Sequence, residues 1–237
     1  MSSGPDIFTP AEPARLLTTD NRSYPVGRIF CASHNYRPGG TDSRNCPERE
    51  PPVYFTKFAD ALVNADPADR TSVPYPPETT NYHFGVELVV ALGRPGFRLS
   101  PAQAANRIWG YGCGLDMTRR DLQREARDTG RPWDAGKNIE QSCPMGRLSP
   151  VEQTGHITRG PIRLWLNDEE RQSADLADLI WNAAELVADL SLFYHLRPGD
   201  LIFTGTPAGS GPVEPDDRIR CEIAGLPALT LHIADEE

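Results

Sequence analysis

Two acidic residues lie where apolar runs of the chain meet loops, and both are candidates for chemistry. Glu87 lies in the run VELVVALG, and Asp116 follows the glycine-rich run WGYGCGL. A buried carboxylate is unfavourable unless it is paired or bound to a cation, so each residue could be a ligand of Mg²⁺ or Ca²⁺. The competing interpretation is an ion pair with a nearby arginine, either Arg119 or Arg120.

Short strands and a few helices must position these residues. In the run over residues 82–93, period-two alternation places His83, Gly85 and Glu87 on one face of a strand. Residues 35–52 are polar and rich in Gly, Pro and Arg, which predicts a long loop or lid. Further strands are predicted at 26–33 and 53–56 and in IRLWLN, DLIF, IRCEI and LTLHI, and helices at PAQAANRI, 119–129 and 178–192.

This order of elements predicts a mixed α/β, β-dominated fold and not a series of βαβ units. The 237 residues fit a single domain over residues 26–237, preceded by a short N-terminal appendage over residues 1–25. The hydrophobic fraction of 38% is enough for a packed core.

Charge and composition exclude several classes of function. The net charge of −9 provides no basic stripe for nucleic acid, and no apolar run is long enough to span a membrane. Five cysteines without a CxxC pair indicate free thiols in a reducing compartment. We therefore expect a cytoplasmic protein that acts on a small molecule.

Five longer motifs occur in order along the chain and together resemble the fumarylacetoacetate hydrolase superfamily. They are Asn35-Tyr36, PEREPPVYFTKFADALV, HFGVELVVALG, GYGCGLDMTRRDLQREARDTGRPWDAGKNIEQSCPMG and LRPGDLIFTGTPAGSG. The likeness covers about residues 27–233 and is greatest to the fumarylpyruvate and acylpyruvate hydrolase branch. It implies a mixed β-sandwich roll, a homodimer, and a Mg²⁺ or Mn²⁺ ion that binds a 2,4-dioxo acid.

The resemblance also implies metal ligands, and one of them is missing. The family places two Glu one residue apart on a strand and an Asp further along. Glu87 and Asp116 match two of these positions, but Gly85 replaces the first Glu. His83 would lie about 7 Å further along the strand, too far to replace it. We therefore expect Mg²⁺ or Mn²⁺ to bind weakly or not at all.

The water-activating residues differ from the family pattern as well. The family's lid motif resembles Asn-Tyr-x-x-His-x-x-Glu. In this chain Gly39 occupies the position of the His and Asp42 occupies the position of the Glu. His34 is a possible substitute for the missing base. By resemblance, Lys137 and Asp42 are the candidate catalytic residues, and the candidate substrate-binding residues are Tyr36, Arg120, Gln123 and Thr206.

Three functions fit these residues. The first is an enzyme of enol chemistry that tautomerises, decarboxylates or cyclises a β-dicarbonyl or 2,4-dioxo acid, as in specialised biosynthesis. Lys137, Arg120 and Asp42 would then supply acid–base and electrostatic catalysis without a tightly bound metal. The second is a Mg²⁺- or Mn²⁺-dependent hydrolase of carbon–carbon bonds. The third is a non-catalytic binding protein, which a blocked pocket would favour.

Overall fold

The computed structural model describes residues 7–9, 11–37, 49–66 and 71–236. The strands within these ranges are β1 (Arg15–Leu17), β2 (Ser23–Pro25), β3 (Arg28–Ser33), β4 (Val53–Lys57), β5 (Leu62–Asn64), β6 (Ser72–Pro74), β7 (Tyr82–His83), β8 (Val86–Leu92), β9 (Ile108–Leu115), β10 (Thr118–Arg119), β11 (Cys143–Met145), β12 (Ser149–Pro150), β13 (Pro161–Leu166), β14 (Glu169–Asp175), β15 (Asp200–Phe203), β16 (Pro212–Val213), β17 (Arg218–Ile223) and β18 (Leu229–Ala234). The α-helices are α1 (Pro101–Ala105), α2 (Arg120–Asp128), α3 (Asp134–Lys137), α4 (Val151–Thr154) and α5 (Ala183–Phe193).

Two larger sheets and two small ones contain these strands. The largest has eight strands in the order β4-β3-β15-β8-β9-β11-β5, with β12 paired beside β9. A five-stranded sheet has the order β14-β13-β17-β18-β6, a three-stranded sheet is β10-β7-β16, and β1 pairs with β2. Most pairs are antiparallel, and β15 with β3, β11 with β5 and β18 with β6 are parallel. The strand-rich mixed α/β fold predicted from the sequence is confirmed.

Strand β8 lies at the centre of the molecule and is buried on both faces. Leu88 and Val90 belong to the larger hydrophobic cluster, together with the inner face of the five-stranded sheet and α5. Val89 and Ala91 point the other way, into a second cluster that includes Leu16 of β1. This double burial explains why the run VELVVAL is almost wholly apolar.

The predicted strand over residues 82–93 is two strands in the structure. β7 ends at His83 and pairs in the three-stranded sheet, whereas β8 begins at Val86 in the large sheet. Phe84 and Gly85 form the break between them, so the chain passes from one sheet to another at that point. The alternation expected from His83 to Glu87 is therefore not continuous.

The helix predicted at 178–192 begins later, at Ala183. Asn182 caps it, because its side chain accepts from the Glu185 N–H while the Glu185 side chain accepts from the Asn182 N–H. The structure also contains β14, which the sequence did not predict, since EERQSAD has no apolar alternation. No helix in the described part of the chain is long and apolar enough to cross a membrane.

Candidate active site

A cavity of about 470 Å³ lies beside the start of β8 and the end of β9. Every predicted site residue that the structure describes lies at its wall, and Asp42 falls outside the described residues, as does Gly39. Phe84 and Arg37 also lie at the wall and do not fill the cavity that the described residues form. The predicted residues at its wall are Tyr36, Gly85, Glu87, Asp116, Arg120, Gln123, Lys137 and Thr206.

A buried ion pair between Asp116 and Lys137 lines the cavity. Asp116 directly follows β9, and its backbone N–H donates to the Gly85 carbonyl at 2.9 Å. Lys137 ends α3, and its Nζ lies 2.5 Å from Asp116 Oδ2 and 2.8 Å from Thr118 Oγ1. The same ammonium lies 4.6 Å from the centre of the Phe55 ring. Lys137 is therefore a fixed, buried charge and not a solvated surface lysine.

A second buried lysine, Lys57, faces the other side of Asp116. Its Nζ donates to Met117 O at 2.9 Å and to Ser142 Oγ at 2.8 Å, and lies 3.2 Å from Asp116 Oδ1. Asp116 Oδ1 nevertheless has no hydrogen-bond partner among the described residues. The contact with Lys57 is thus an attraction between charges, because Ser142 and Met117 use the lysine's donors.

The two lysines determine the charge of Asp116. Burial alone would raise the pKa of Asp116, but the charges of Lys137 and Lys57 bring it below its ordinary value. In return, Asp116 raises the pKa of Lys57, although burial opposes this. Asp116 therefore pairs with lysines, and the alternative partners considered from the sequence, Arg119 and Arg120, do not pair with it. Sequence analysis missed Lys57; its one signal is that strand alternation puts it on the face of Phe55.

Glu87 is a fourth ionisable group beside these three, and it also lines the cavity. It is 2% exposed, and its Oε2 accepts from the Gly205 N–H at 2.7 Å. Burial, and next the charge of Asp116, raise the pKa of Glu87 well above its ordinary value, which Gly205 and the lysines offset only in part. We refer to Glu87, Asp116, Lys137 and Lys57 together as the cavity floor.

Gly85 leaves little room for a larger side chain. A Cβ atom at Gly85 would lie 3.1 Å from Thr206 Oγ1 and 3.1 Å from its Cγ2, closer than ordinary van der Waals contact. Thr206 is itself held in place, because its Oγ1 accepts from Gln172 Nε2 at 2.9 Å. A side chain at Gly85 would therefore require Thr206 to move by a few tenths of an ångström.

The cavity floor does not fit a resident divalent cation. Glu87 and Asp116 offer two carboxylates, and the buried ammonium groups of Lys137 and Lys57 both pair with Asp116. Gly85 supplies no third carboxylate, and the described residues contain no group of three or more His, Cys, Asp or Glu arranged to hold a metal. Without excess negative charge, such a site has little attraction for a hard cation.

Helix α2 forms a polar wall of the cavity. Arg120 Nη1 donates to Gln123 Oε1 at 2.6 Å, which fixes both side chains against the cavity. Next to them, His83 Nε2 lies 2.8 Å from Asn81 Oδ1. Burial, followed by the charges of Arg120 and Arg124, lowers the pKa of His83 to about 4. His83 is consequently neutral at physiological pH.

The opposite wall comes from the segment after β3. The Asn35 side chain donates to Thr204 O at 2.8 Å and to Trp181 O at 2.9 Å, and it accepts from the Trp181 N–H. These bonds anchor Tyr36, whose buried hydroxyl has no hydrogen-bond partner among the described residues. His34 also lines the cavity, with φ of 54° and its Nδ1 2.8 Å from Ser33 Oγ. Unusual backbone conformations of this kind are often found at functional sites.

These features define an enzyme site on a strand-rich scaffold, and the comparisons identify its family. A sequence model described as fumarylacetoacetate (FAA) hydrolase C-terminal matches residues 28–234. The chain belongs to the fumarylacetoacetate hydrolase family, as its motifs predicted. It is an enzyme of the class that acts on dicarbonyl or acylpyruvate compounds.

Individual relatives differ in the reaction they catalyse. The chain is 47% identical to a fumarylpyruvate hydrolase from Ralstonia sp over 79% of this chain and 95% of the relative. It is 32% identical to the oxaloacetate tautomerase YcgM of Escherichia coli (strain K12) over 85% and 90% of the two chains. A fumarylpyruvate hydrolase from Pseudomonas aeruginosa, solved with Mn²⁺ and pyruvate, superposes with a TM-score of 0.92 at 43% identity, covering 98% and 100% of the two chains.

Proposed function

We propose that this enzyme catalyses proton transfer next to the ketone of a β-dicarbonyl or 2-oxo acid, and that it does so without a resident metal. Tautomerisation is the simplest such reaction, and decarboxylation or cyclisation would pass through the same enolate. The observation that carries the proposal is the cavity floor. The floor provides a fixed ammonium group, because Lys137 Nζ lies 2.5 Å from Asp116 Oδ2. It provides no third carboxylate, because residue 85 is a glycine.

A buried ammonium can stabilise the enolate that forms when a carbon next to a ketone loses a proton. The negative charge develops on the ketone oxygen, and a fixed positive charge in a site of low dielectric constant stabilises it strongly. Asp116 and Thr118 hold Lys137 in position before the substrate arrives, so little reorganisation is needed. Lys137 is thus expected to act as an electrostatic catalyst and not as a base.

Other residues at the cavity wall would hold the substrate and move its proton. Arg120 is suited to a two-point contact with a carboxylate, and the Tyr36 hydroxyl, which has no hydrogen-bond partner among the described residues, could donate to the substrate. His34 would accept the proton from carbon and return it to the enolate oxygen. Asp42 stays a prediction for the same acid–base role, since it lies outside the described residues.

The test is the exchange of the methylene protons of oxaloacetate in D₂O, followed by NMR in the presence of EDTA. We expect the wild-type enzyme to accelerate exchange, and Lys137→Met to lose about 10²-fold of that rate. Arg94→Gln, an exposed charge change away from the cavity, serves as the control. Wild-type exchange no faster than the uncatalysed reaction would reject the proposal, as would complete inhibition by EDTA.

A metal-dependent hydrolase of carbon–carbon bonds is the second candidate function. The 47% identity to a fumarylpyruvate hydrolase favours it, whereas the missing Glu at Gly85 opposes it. Added Mg²⁺ or Mn²⁺ should then be required for cleavage of acylpyruvates, and Asp116→Ala should abolish that cleavage. Absence of cleavage with either metal across a panel of acylpyruvates would exclude this function.

We further propose that the enzyme is a cytoplasmic homodimer that takes part in biosynthesis. Resemblance to the family supports the dimer, and free buried cysteines, among them Cys31, Cys113, Cys143 and Cys221, fit a reducing compartment. Size-exclusion chromatography with light scattering tests the dimer, because a mass near 26.2 kDa would indicate a monomer.

A further inference from the structure

Gln172 is a buried side chain that lies behind Thr206 and bonds to three groups around it. It belongs to β14 and is 1% exposed. Its Oε1 accepts from the N–H of Val86, the first residue of β8, at 3.0 Å. Its Nε2 donates to Pro207 O at 2.8 Å and to Thr206 Oγ1 at 2.9 Å. The side chain therefore connects the start of β8 to the loop that carries Thr206.

The loop between β15 and β16 lies close against β14. A Cβ atom at Gly209, which has φ of 98°, would overlap the Arg171 carbonyl oxygen, so only glycine allows this approach. On its other side the loop is held by Ser210, whose Oγ donates to Phe84 O at 2.6 Å. These contacts keep the loop at a distance from β14 at which the Gln172 amide can reach it.

The backbone partners determine which way the Gln172 amide points. A peptide N–H can only donate and a peptide carbonyl can only accept, so Oε1 must face Val86 and Nε2 must face Pro207. If the amide were turned over, two donors would meet at Val86 and two acceptors would meet at Pro207. Gln172 therefore always offers an N–H donor to Thr206, and the Thr206 oxygen is the acceptor in this pair.

Thr206 consequently keeps its own hydrogen for another partner. A hydroxyl group has one hydrogen to donate, and the Gln172 N–H cannot accept it. Within the part of the chain that the structure describes, Gln172 is the one hydrogen-bond partner of the Thr206 hydroxyl. Thr206 lines the cavity, and its Oγ1 lies 3.1 Å from the position that a Cβ atom of Gly85 would take. The hydroxyl can thus donate to a ligand in the cavity, beside the space that Gly85 leaves.

We propose that Gln172 is a positioning residue that makes Thr206 an obligatory hydrogen-bond donor to the bound ligand. The ligand atom that meets Thr206 is then an acceptor, namely a carboxylate or enolate oxygen of a 2-oxo acid. A hydrogen bond to such a charged oxygen is stronger than one between neutral groups. This inference rests on the proposed function and adds a residue of β14, outside the cavity wall, to the groups that select its ligand.

The experiment measures the binding of oxalate, an unreactive analogue of the enolate of a 2-oxo acid, by calorimetry in the presence of EDTA. Thr206→Val should weaken binding by about tenfold, because a hydrogen bond to a charged oxygen is lost. Thr206→Ser keeps the hydroxyl and should stay within about threefold of the wild type. In Gln172→Met the hydroxyl hydrogen is no longer directed at the ligand, so adding Thr206→Val should weaken binding by only about twofold more.

A second variant provides the same test if Gln172→Met does not fold, since methionine leaves Val86 and Pro207 without a partner. Gln172→Glu keeps an acceptor for the Val86 N–H, and the introduced carboxylate would accept the Thr206 hydrogen. Thr206→Val should again add little to the loss of affinity. Gln153→Met changes an exposed glutamine outside the cavity lining, and in this control Thr206→Val should keep its full tenfold effect.

A tenfold effect of Thr206→Val in the Gln172 variants would overturn the inference, because Gln172 would then support the fold alone. An unchanged affinity in Thr206→Val, or no oxalate binding to the wild-type enzyme, would overturn it as well. Calorimetry measures binding and not turnover. Coupling between the two residues without proton exchange on oxaloacetate would therefore reject the proposed function and retain the role of Gln172. Proton exchange without coupling would do the opposite.

Discussion

The cavity floor differs in its charge pairing from the three arginines of α2 at the cavity wall, Arg120, Arg124 and Arg127, which we call the arginine stripe. In the floor, Asp116 lies between Lys137 and Lys57, all three are buried, and their contacts are within the protein. In the stripe, Arg124 has no ion-pair partner among the described residues and lies at the cavity wall. Paired buried charges create a constant electrostatic potential in the site, whereas charges at a wall without an ion-pair partner are available to bind a ligand. The comparison suggests that reaction type and substrate choice are controlled by separate parts of the cavity.

The largest effect should come from removing a charge from the floor. Lys57→Met leaves Asp116 with one ammonium and removes the donor to Ser142 and Met117, so we expect a loss of about 3 kcal/mol in the free energy of unfolding. Urea denaturation measures this loss. The matched change in the stripe, Arg124→Gln, should stay within about 0.5 kcal/mol. Similar losses in both variants would remove the distinction between floor and stripe.

A new carboxylate in the floor should increase the affinity of the site for a divalent cation. Gly85→Glu adds the missing oxygen ligand, and combining it with Thr206→Ser removes the Cγ2 contact at 3.1 Å. We expect Mn²⁺ affinity to rise by at least about tenfold, because the floor then has a net negative charge. Calorimetry provides the measurement. Gly85→Gln with Thr206→Ser is the control, and an equal rise in that variant would show that charge is not the cause.

A smaller effect on substrate affinity is expected from removing the Tyr36 hydroxyl at the cavity wall. Tyr36→Phe removes a buried hydroxyl without a hydrogen bond among the described residues, so the free energy of unfolding should stay the same or rise slightly. Substrate affinity should fall by about five- to tenfold, since a hydrogen bond to the ligand is lost. The KM for oxaloacetate and the urea midpoint measure these effects. A loss of stability with unchanged KM would assign Tyr36 to the scaffold instead.

The smallest effect should be a pH dependence of stability that is due to His83, which lies next to Arg120. The pKa of His83 is about 4 in the folded chain and 6.5 ordinarily, so between these values the unfolded chain binds more protons. Stability should therefore fall as the pH is lowered from about 6.5 to about 4. Burial is the largest cause of the lowered pKa of His83, the charges of Arg120, Arg124 and Lys137 add to it, and Asp121 opposes it. Urea midpoints at pH 5 and pH 7 should differ less in His83→Gln than in the wild type; an unchanged difference would contradict this.

Local patterns predicted the family and the strand-rich fold well, because they depend on contiguous residues. The runs around β3, β8, β17 and β18 have the apolar content of buried strands, and GLDMTRRDLQ brings Asp116, Arg120 and Gln123 together in the chain. The same segments place the predicted site residues around one cavity. Their individual roles stay predictions.

Features that depend on distant contacts could not be predicted in this way. Lys57 lies far from Asp116 in the chain, and its alternation with Phe55 in VYFTK does not by itself show that it is buried or that it faces Asp116. The break between β7 and β8 depends on which sheet each strand joins. β14 consists mostly of polar residues and is held by pairing with β13. In each case tertiary pairing, and not local propensity, decides the outcome.

The position of Gly85 in that break has a consequence for how the site can change. Its carbonyl accepts from the Asp116 N–H, a backbone bond that any residue can make, and Gly85 belongs to neither of the two strands that it joins. A ligand side chain can therefore be lost here without change to that backbone bond, and a regained one requires Thr206 to shift by a few tenths of an ångström. The set of ligand side chains can thus change at this residue separately from the fold, because Gly85→Glu with a small adjustment of Thr206 would add a third carboxylate to the cavity floor without a new architecture.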